Sequence, residues 1–265
     1  MRLLALTLVA LAVAASASAR GERTAACAPT FADRLETGSA TQLITVVAPA
    51  RASTHGSLRL WAKRGACWRQ TAGPWPAWLG QRGTSPAKRE GDRRTPTGIF
   101  GFLRTMYGVA PSPGVRYRYR RLVCGDWWVE DPASPYYNRF RHVRCGSSPP
   151  FRTTSEDMSR SPTAYRHLAV IAYNTSPVVP GRGSGIFFHA STGRPTLGCV
   201  SLPLPRLIAA LRWLRPATRP LIAIGTAADL RVSRTGISGQ PDVANSPGAD
   251  TSSDASDLWR GLARG

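Results

Sequence analysis

The sequence predicts a mainly β fold with one or two short helices. Three observations predict it. The 22 prolines and 25 glycines are spread through all 265 residues, a punctuation that favours many short strands and long loops over a helical bundle. The runs between them alternate apolar and polar residues or are rich in β-branched side chains, the period of a half-buried strand. One segment alone carries a clear helical spacing, with Leu207, Leu211 and Leu214 at i, i+4 and i+7.

In chain order, residues 42–47 and 57–61 read as strands because each alternates and then meets Gly or Pro. Residues 99–103 follow the Thr95-Pro96-Thr97-Gly98 segment, which reads as a turn feeding a strand. Residues 168–173, 185–189 and 221–224 are further apolar strand candidates. The helix lies between Pro205 near its start and Pro216 as its stop. From residue 229 the composition turns to Ser, Gly and Asp with little apolar periodicity, so residues 229–265 read as a disordered tail.

At the other end, Met1-Arg2 precedes an apolar run and then Ala17-Ser18-Ala19, a small-x-small cleavage pattern. Residues 1–19 therefore read as a secretory signal peptide, with a short segment 20–38 before the folded region 39–228. The apolar run is shorter than the ~20 residues that span a bilayer, so no stable membrane insertion is expected, and the exported chain is expected to be a monomer. The chain is 42% hydrophobic, too apolar for wholesale disorder, and long enough to bury a core. Its 35 Lys+Arg against 15 Asp+Glu give a formal charge of +20, which fits anionic surroundings such as wall polymers. Lys63 and Lys88 are the only lysines, and the Arg bias is also what a GC-rich genome produces. Without a phosphate loop, a dinucleotide fingerprint, paired-cysteine zinc spacing or an RNA-binding aromatic motif, charge alone does not support a nucleic-acid partner.

Export makes disulfide pairing the default, and five cysteines leave one thiol over. Four cysteines admit three pairings. Locality favours Cys124 with Cys145, clipping the stretch that holds Trp127, Trp128, Tyr136 and Tyr137, and Cys27 with Cys67. That choice leaves Cys199 free.

Cys199 and His189 together carry the chemical argument. A free thiol has a pKa of roughly 8.5 and needs an imidazole to take its proton or hold its thiolate. His189 ends an apolar strand, and the Gly193-Arg194-Pro195 turn folds the chain back toward Cys199. Gly198 permits backbone amides to approach a substrate carbonyl, as an oxyanion hole requires. Taken singly, a Cys between Gly and Val reads as a small buried hydrophobe, and a His at a strand end as a structural group. Tyr173 with Asn174 follows an apolar strand and is expected to border the site.

His189-Ala190-Ser191, then Thr196-Leu197-Gly198-Cys199-Val200-Ser201-Leu202, preceded by Thr95-Pro96-Thr97-Gly98-Ile99-Phe100, resembles the catalytic domain of YkuD-type L,D-transpeptidases over residues 39–226. The resemblance implies a compact β-sandwich or barrel, Cys199 as nucleophile and His189 as base. It also implies that Thr196, Gly198 and Ser191 support the nucleophile loop. By the same resemblance, the thiol attacks the third residue of a peptidoglycan stem tetrapeptide and releases D-alanine. An amine then resolves the thioester to a 3→3 crosslink, or water resolves it, and no metal or organic cofactor is required. Arg182 and Arg194 are placed to hold a stem carboxylate. The chain departs from the family pattern at Leu197, where a second His is usual, at Ser201, where Arg or Asn is usual, and in a short His189–Cys199 interval.

Two other enzyme families are disfavoured by spacing or order, a sortase-like transpeptidase remaining an alternative. The Thr196-Leu197-Gly198-Cys199 block, with Arg206 after it, is similar to a sortase's, but sortases place the His farther upstream. Papain-like enzymes place the Cys before the His. From a different class, a non-catalytic basic wall-binding protein would explain the departures at Leu197 and Ser201.

Overall fold

The computed structural model describes residues 27–152 and 154–232. The expected signal peptide lies outside them, as does the tail beyond Val232. The described residues form fifteen strands and two α-helices: β1 (Gln42–Ala48), β2 (His55–Arg64), β3 (Cys67–Trp78), β4 (Thr84–Ser85), β5 (Thr95–Pro96), β6 (Gly98–Phe100), β7 (Phe102–Gly108), β8 (Arg118–Arg121), β9 (Asp126–Trp128), β10 (Phe140–His142), β11 (Glu156–Asp157), β12 (Leu168–Ile171), β13 (Phe187–Ala190), β14 (Val200–Leu202), α1 (Leu204–Trp213), β15 (Leu221–Thr226) and α2 (Ala227–Val232).

Ten strands make one sheet in the order β6-β15-β1-β2-β3-β14-β13-β12-β7-β8. The sheet is curled, and its connectivity shows how. β6 is one edge and β7 lies next to the other, yet only Gly101 separates them in the chain. The run expected as one strand over 99–103 is therefore two, divided at Gly101. The two ends of the sheet must approach each other at that residue, which gives the barrel-like closure expected of the family.

One side of the curl is filled by a single apolar cluster. It joins Ile44, Val46, Leu58 and Leu60 to Met106 and Ile171, with Leu207, Ala210, Leu211 and Leu214 of the α1 region plugging it. The i, i+4, i+7 leucines are all fully buried, as their spacing requires. A second cluster, on the opposite face of β12 and β13, gathers Trp128, Met158, Tyr165, Leu168, Val170, Phe187 and Cys199.

β3 escaped the sequence reading because it holds Pro74 and Pro76, which weaken a strand assignment. The β2–β3 ladder takes them up through register shifts between Leu58, Leu60 and Trp61. Gly73 beside the shift has φ +89°, and a Cβ there would lie 2.4 Å from the Leu58 carbonyl oxygen, so the irregularity needs glycine. The segment read as tail from residue 229 begins inside α2. Thr226 and Asp229 form a reciprocal cap: the Asp229 amide donates to Thr226 Oγ1 at 3.1 Å, and Thr226 Oγ1 donates to Asp229 Oδ2 at 2.8 Å.

Disulfides join Cys27 to Cys67 and Cys124 to Cys145, and Cys199 is a free, buried thiol. The second bridge clips the base of a three-stranded sheet, β10-β9-β11. The aromatic stretch above it is largely internal, with Trp128 and Tyr137 each 2% exposed. Among the described residues, no helix is long and apolar enough to cross a membrane.

Candidate active site

The parallel β13–β14 pair decides which side chains share a face. Phe188 pairs with Val200, His189 with Ser201 and Ala190 with Leu202. Phe188, Ala190, Val200 and Leu202 point into the α1 core. Alternation then turns Phe187, His189, Cys199 and Ser201 to the other face. Cys199 and His189 are thus one strand apart and two residues out of step, about 8 Å between Cα atoms for ideal strands.

In the resting protein the thiol is held by backbone. Cys199 Sγ donates to the Gly185 carbonyl at 3.3 Å and accepts from the Phe187 amide at 3.3 Å. The His189 ring is held in the same manner, with Nδ1 donating to the Ala190 carbonyl at 2.8 Å and the Ala164 backbone beside it. Tyr165 packs edge-on against it, with centroids 5.6 Å apart. Both groups are neutral at neutral pH. Burial drives the imidazole down to about 4, overriding two carbonyls that favour its cation. Burial pushes the thiol up to about 12; the Phe187 amide and Lys88 oppose this, while Glu130 and Glu156 add to it.

The nucleophile loop hangs from two hydroxyls that the Cys199 carbonyl accepts: Thr196 Oγ1 at 2.7 Å and Thr95 Oγ1 at 3.2 Å. Thr196 Oγ1 also accepts from the Gly198 amide at 3.1 Å, and Thr95 Oγ1 from the Gly80 amide at 2.8 Å. Backbone bonds from Thr196 to Leu79 and from Gln81 to Thr196, each 2.8 Å, pin the same loop to the end of β3. Gly198 has φ +147°, and a Cβ there would come within 3.0 Å of the Arg94 carbonyl oxygen. Its amide is thus a strut of the loop, engaged by Thr196.

The other expected residues are dispersed. Ser191 caps the turn after β13, accepting from the Gly193 amide at 2.9 Å. Arg194 is exposed on that turn. Tyr173 and Arg182 meet in a cleft of about 250 Å³, also lined by Phe100 and Asn174, where the Tyr173 hydroxyl donates to the Arg182 carbonyl at 2.6 Å. A second cleft of about 560 Å³ runs over the clipped sheet between Trp127, Arg144, Glu156 and Arg160. Cys199 lines neither; Glu156, on the rim of the larger one, comes closest in its electrostatic effect on the thiol.

Sequence reasoning missed a charged group beside the thiol. The Lys88 stem packs against Gly183 and Gly198, and its ammonium donates to Asp92 at 2.6 Å. Glu90 accepts from Ser184 at 2.6 Å and from Tyr137. Glu130 stands over Gly185, and Glu156 is bonded to Ser161 and Tyr165. One signal was present: Lys88 is one of two lysines in a chain that otherwise uses arginine. The carboxylates had none, because what brings Glu90 to Tyr137 and Ser184, and Glu130 to Gly185, is contact between distant segments.

Leu197 and Ser201, the two departures, have opposite fates. Leu197 is 67% exposed at the tip of the nucleophile loop, whereas Ser201 is 1% exposed and its Oγ has no hydrogen-bond partner. An unpaired buried hydroxyl costs stability. Ser201→Ala is therefore expected to raise stability by about 1 kcal/mol, measured by thermal unfolding; a loss of that size would mean the hydroxyl is engaged.

No functionally curated protein matches the chain. Among solved structures, it is similar to the helical cell shape determining protein Pgp2 from Campylobacter jejuni, with 12% identity and a TM-score of 0.36. That likeness covers 74% of this chain and spans about half, 54%, of Pgp2. The L,D-transpeptidase catalytic domain family, YkuD, matches residues 50–224, well over half of the sequence. This chain, a curled, mainly β domain, belongs to the L,D-transpeptidase catalytic domain family.

Proposed function

We propose that this chain is an exported peptidoglycan L,D-transpeptidase of the bacterial cell wall or periplasm-like space. Cys199 attacks the carbonyl of the third stem residue as His189 takes the thiol proton, and that proton passes to the departing D-alanine amine. The resulting thioester is resolved by an amine of a neighbouring stem, making a 3→3 crosslink, or by water, as a carboxypeptidase. The observation that carries the reading is the free thiol on the same sheet face as a buried histidine, in a loop suspended by two threonine hydroxyls. Two disulfides and a net charge of +20 support an exported protein working among anionic wall polymers.

The site as it stands needs a movement before chemistry. The His189 ring donates from Nδ1 to the Ala190 carbonyl and has the Ala164 backbone beside it, so the imidazole must exchange the Ala164 backbone for the thiol when substrate enters. Hydrogen bonds of this kind often form only in the substrate complex. The same resting geometry favours a second reading, a wall-binding protein that keeps the fold without turnover.

Intact-mass spectrometry after exposure to a carbapenem, followed by incubation with stem tetrapeptides, separates the two. A mass increase of one drug molecule together with released D-alanine is the expected result. An unmodified protein whose Cys199 is shown to be reduced would overturn the transpeptidase reading in favour of wall binding.

A further inference from the structure

The chain carries 35 cationic side chains against 15 carboxylates, yet Glu130 and Glu156 both bear on one buried thiol, and Glu90 in turn bears on Glu130. Such an inversion of charge works against forming a thiolate, so it calls for another role.

Two of the three are occupied. Glu90 is bonded by the Tyr137 and Ser184 hydroxyls, and Glu156 by the Ser161 and Tyr165 hydroxyls. The Glu130 carboxylate has no hydrogen-bond donor among the described residues. Its main chain is fixed, the amide donating to Ser155 Oγ at 3.1 Å two residues past the end of β9.

Its head group lies over Gly185. A Cβ on Gly185 would meet Glu130 Oε1 at 2.1 Å and Trp128 Cδ1 at 3.5 Å. Gly185 is also the residue whose carbonyl accepts the Cys199 thiol. The free carboxylate and the nucleophile therefore share one glycine, whose missing side chain is the room the carboxylate occupies. The site also keeps its nearby cation to itself, because Lys88 is tied to Asp92. What is left is one partly buried carboxyl without a hydrogen-bond donor, over the glycine that also holds the reacting sulfur, and a cation arriving with substrate would ionise it and pair with it.

We propose that Glu130 receives the ammonium of the acceptor amine and takes its first proton, which makes Glu130 a catalytic residue of the second half-reaction. This rests on the reading of Cys199 as an acylated nucleophile. The acceptor reaches the thioester as R–NH₃⁺. Glu130 carboxylate takes one proton and leaves R–NH₂. The nitrogen lone pair forms the C–N bond to the thioester carbon, and the C–S bond breaks. His189 accepts the second amine proton and delivers it to the departing sulfur. The products are the amide, Cys199 thiol, neutral His189 and protonated Glu130, which returns its proton to water.

The groups facing Glu130 suit that duty. Burial, Glu156 and Glu90 push its carboxyl up to about 8, against the opposing pull of Lys88, so the empty site holds mostly the neutral acid at pH 7 and the arriving ammonium is what drives its proton out to water and leaves the carboxylate. Cys199 and the buried Tyr165 are the remaining titratable neighbours. A base poised near the working pH is efficient in proton transfer.

The test uses acyl-enzyme formed by the full-length wild type, Glu130→Gln and Glu130→Asp, offered two acceptors. Nα-acetyl-lysine is a cation at neutral pH and must lose a proton before attack, whereas hydroxylamine is already uncharged. In Glu130→Gln, transfer to Nα-acetyl-lysine is expected to fall at least tenfold relative to transfer to hydroxylamine, with partial recovery in Glu130→Asp. Equal losses toward both acceptors would assign Glu130 a purely structural role, and unchanged transfer to both would also overturn the proposal. If the wild type forms no acyl-enzyme, the nucleophile reading itself fails, an outcome distinct from either of these.

Discussion

Cys199→Ala is expected to abolish carbapenem acylation outright, and His189→Ala to slow it by about 10²–10⁴-fold at pH 7. The difference between the two is the informative part. Removing the sulfur removes the bond-forming atom, while removing the imidazole leaves a thiol that must lose its proton unaided. With the thiol raised to about 12 by burial and the imidazole lowered to about 4 by burial, a preformed thiolate–imidazolium pair is not the resting state. Proton transfer must accompany attack, after substrate has displaced the backbone partners of both groups. Iodoacetamide, which needs free thiolate, should therefore label wild-type Cys199 slowly at pH 7 and ever faster up to pH 10 without levelling. A labelling curve that has already levelled off below pH 7 would refute this account and establish a thiolate–imidazolium ion pair.

The same two groups set how pH acts on the fold. Depressed in the native state, His189 contributes stability that is whole above its unfolded value of 6.5 and is lost as pH falls toward 4. The raised Cys199 thiol contributes stability that is complete below its unfolded value of 9 and is lost as pH rises toward 12.

Much of this architecture was legible from local pattern. The edges of β1, β12, β13, β15 and α1 lie close to where alternation, leucine spacing and Pro–Gly breaks put them, because burial on one face leaves that mark in the sequence. β3 was hidden by its prolines, and β14 by being three residues long directly behind the thiol. The site divides in the same way. Cys199, His189, Thr196 and Gly198 lie within eleven residues of each other, and a motif can show them. Glu130, Glu156, Lys88 and Thr95 reach the thiol only because the sheet curls and the Cys124–Cys145 loop folds over β13. Asn138 makes that second contact, its Oδ1 accepting from Trp128 Nε1 at 2.9 Å and from the Gly185 amide at 3.0 Å. No spacing rule encodes such a contact.

Thr95 tests how far the distant support matters. The sequence reads its segment as a turn, but the structure makes the fully buried Thr95 hydroxyl a bridge from Gly80 to the Cys199 carbonyl. Valine keeps the shape and removes the bridge, leaving the buried Gly80 amide without its acceptor. Thr95→Val is expected to cost about 2 kcal/mol, lowering the midpoint of thermal unfolding by about 4–8 °C, and to slow acylation by loosening the nucleophile loop. Thr196→Val strips the Gly198 amide in the same way and should cost a similar amount. The two hydroxyls share one acceptor, so each single variant leaves the Cys199 carbonyl one donor and the double variant leaves it none. The double variant should therefore lose more than the sum of the singles, by about 0.5 kcal/mol or more. Additivity within about 0.3 kcal/mol in a denaturant-unfolding cycle would mean that the carbonyl does not depend on this pair. A coupled loss, matched by a coupled fall in acylation rate, would tie the position of the nucleophile to a residue about a hundred positions upstream.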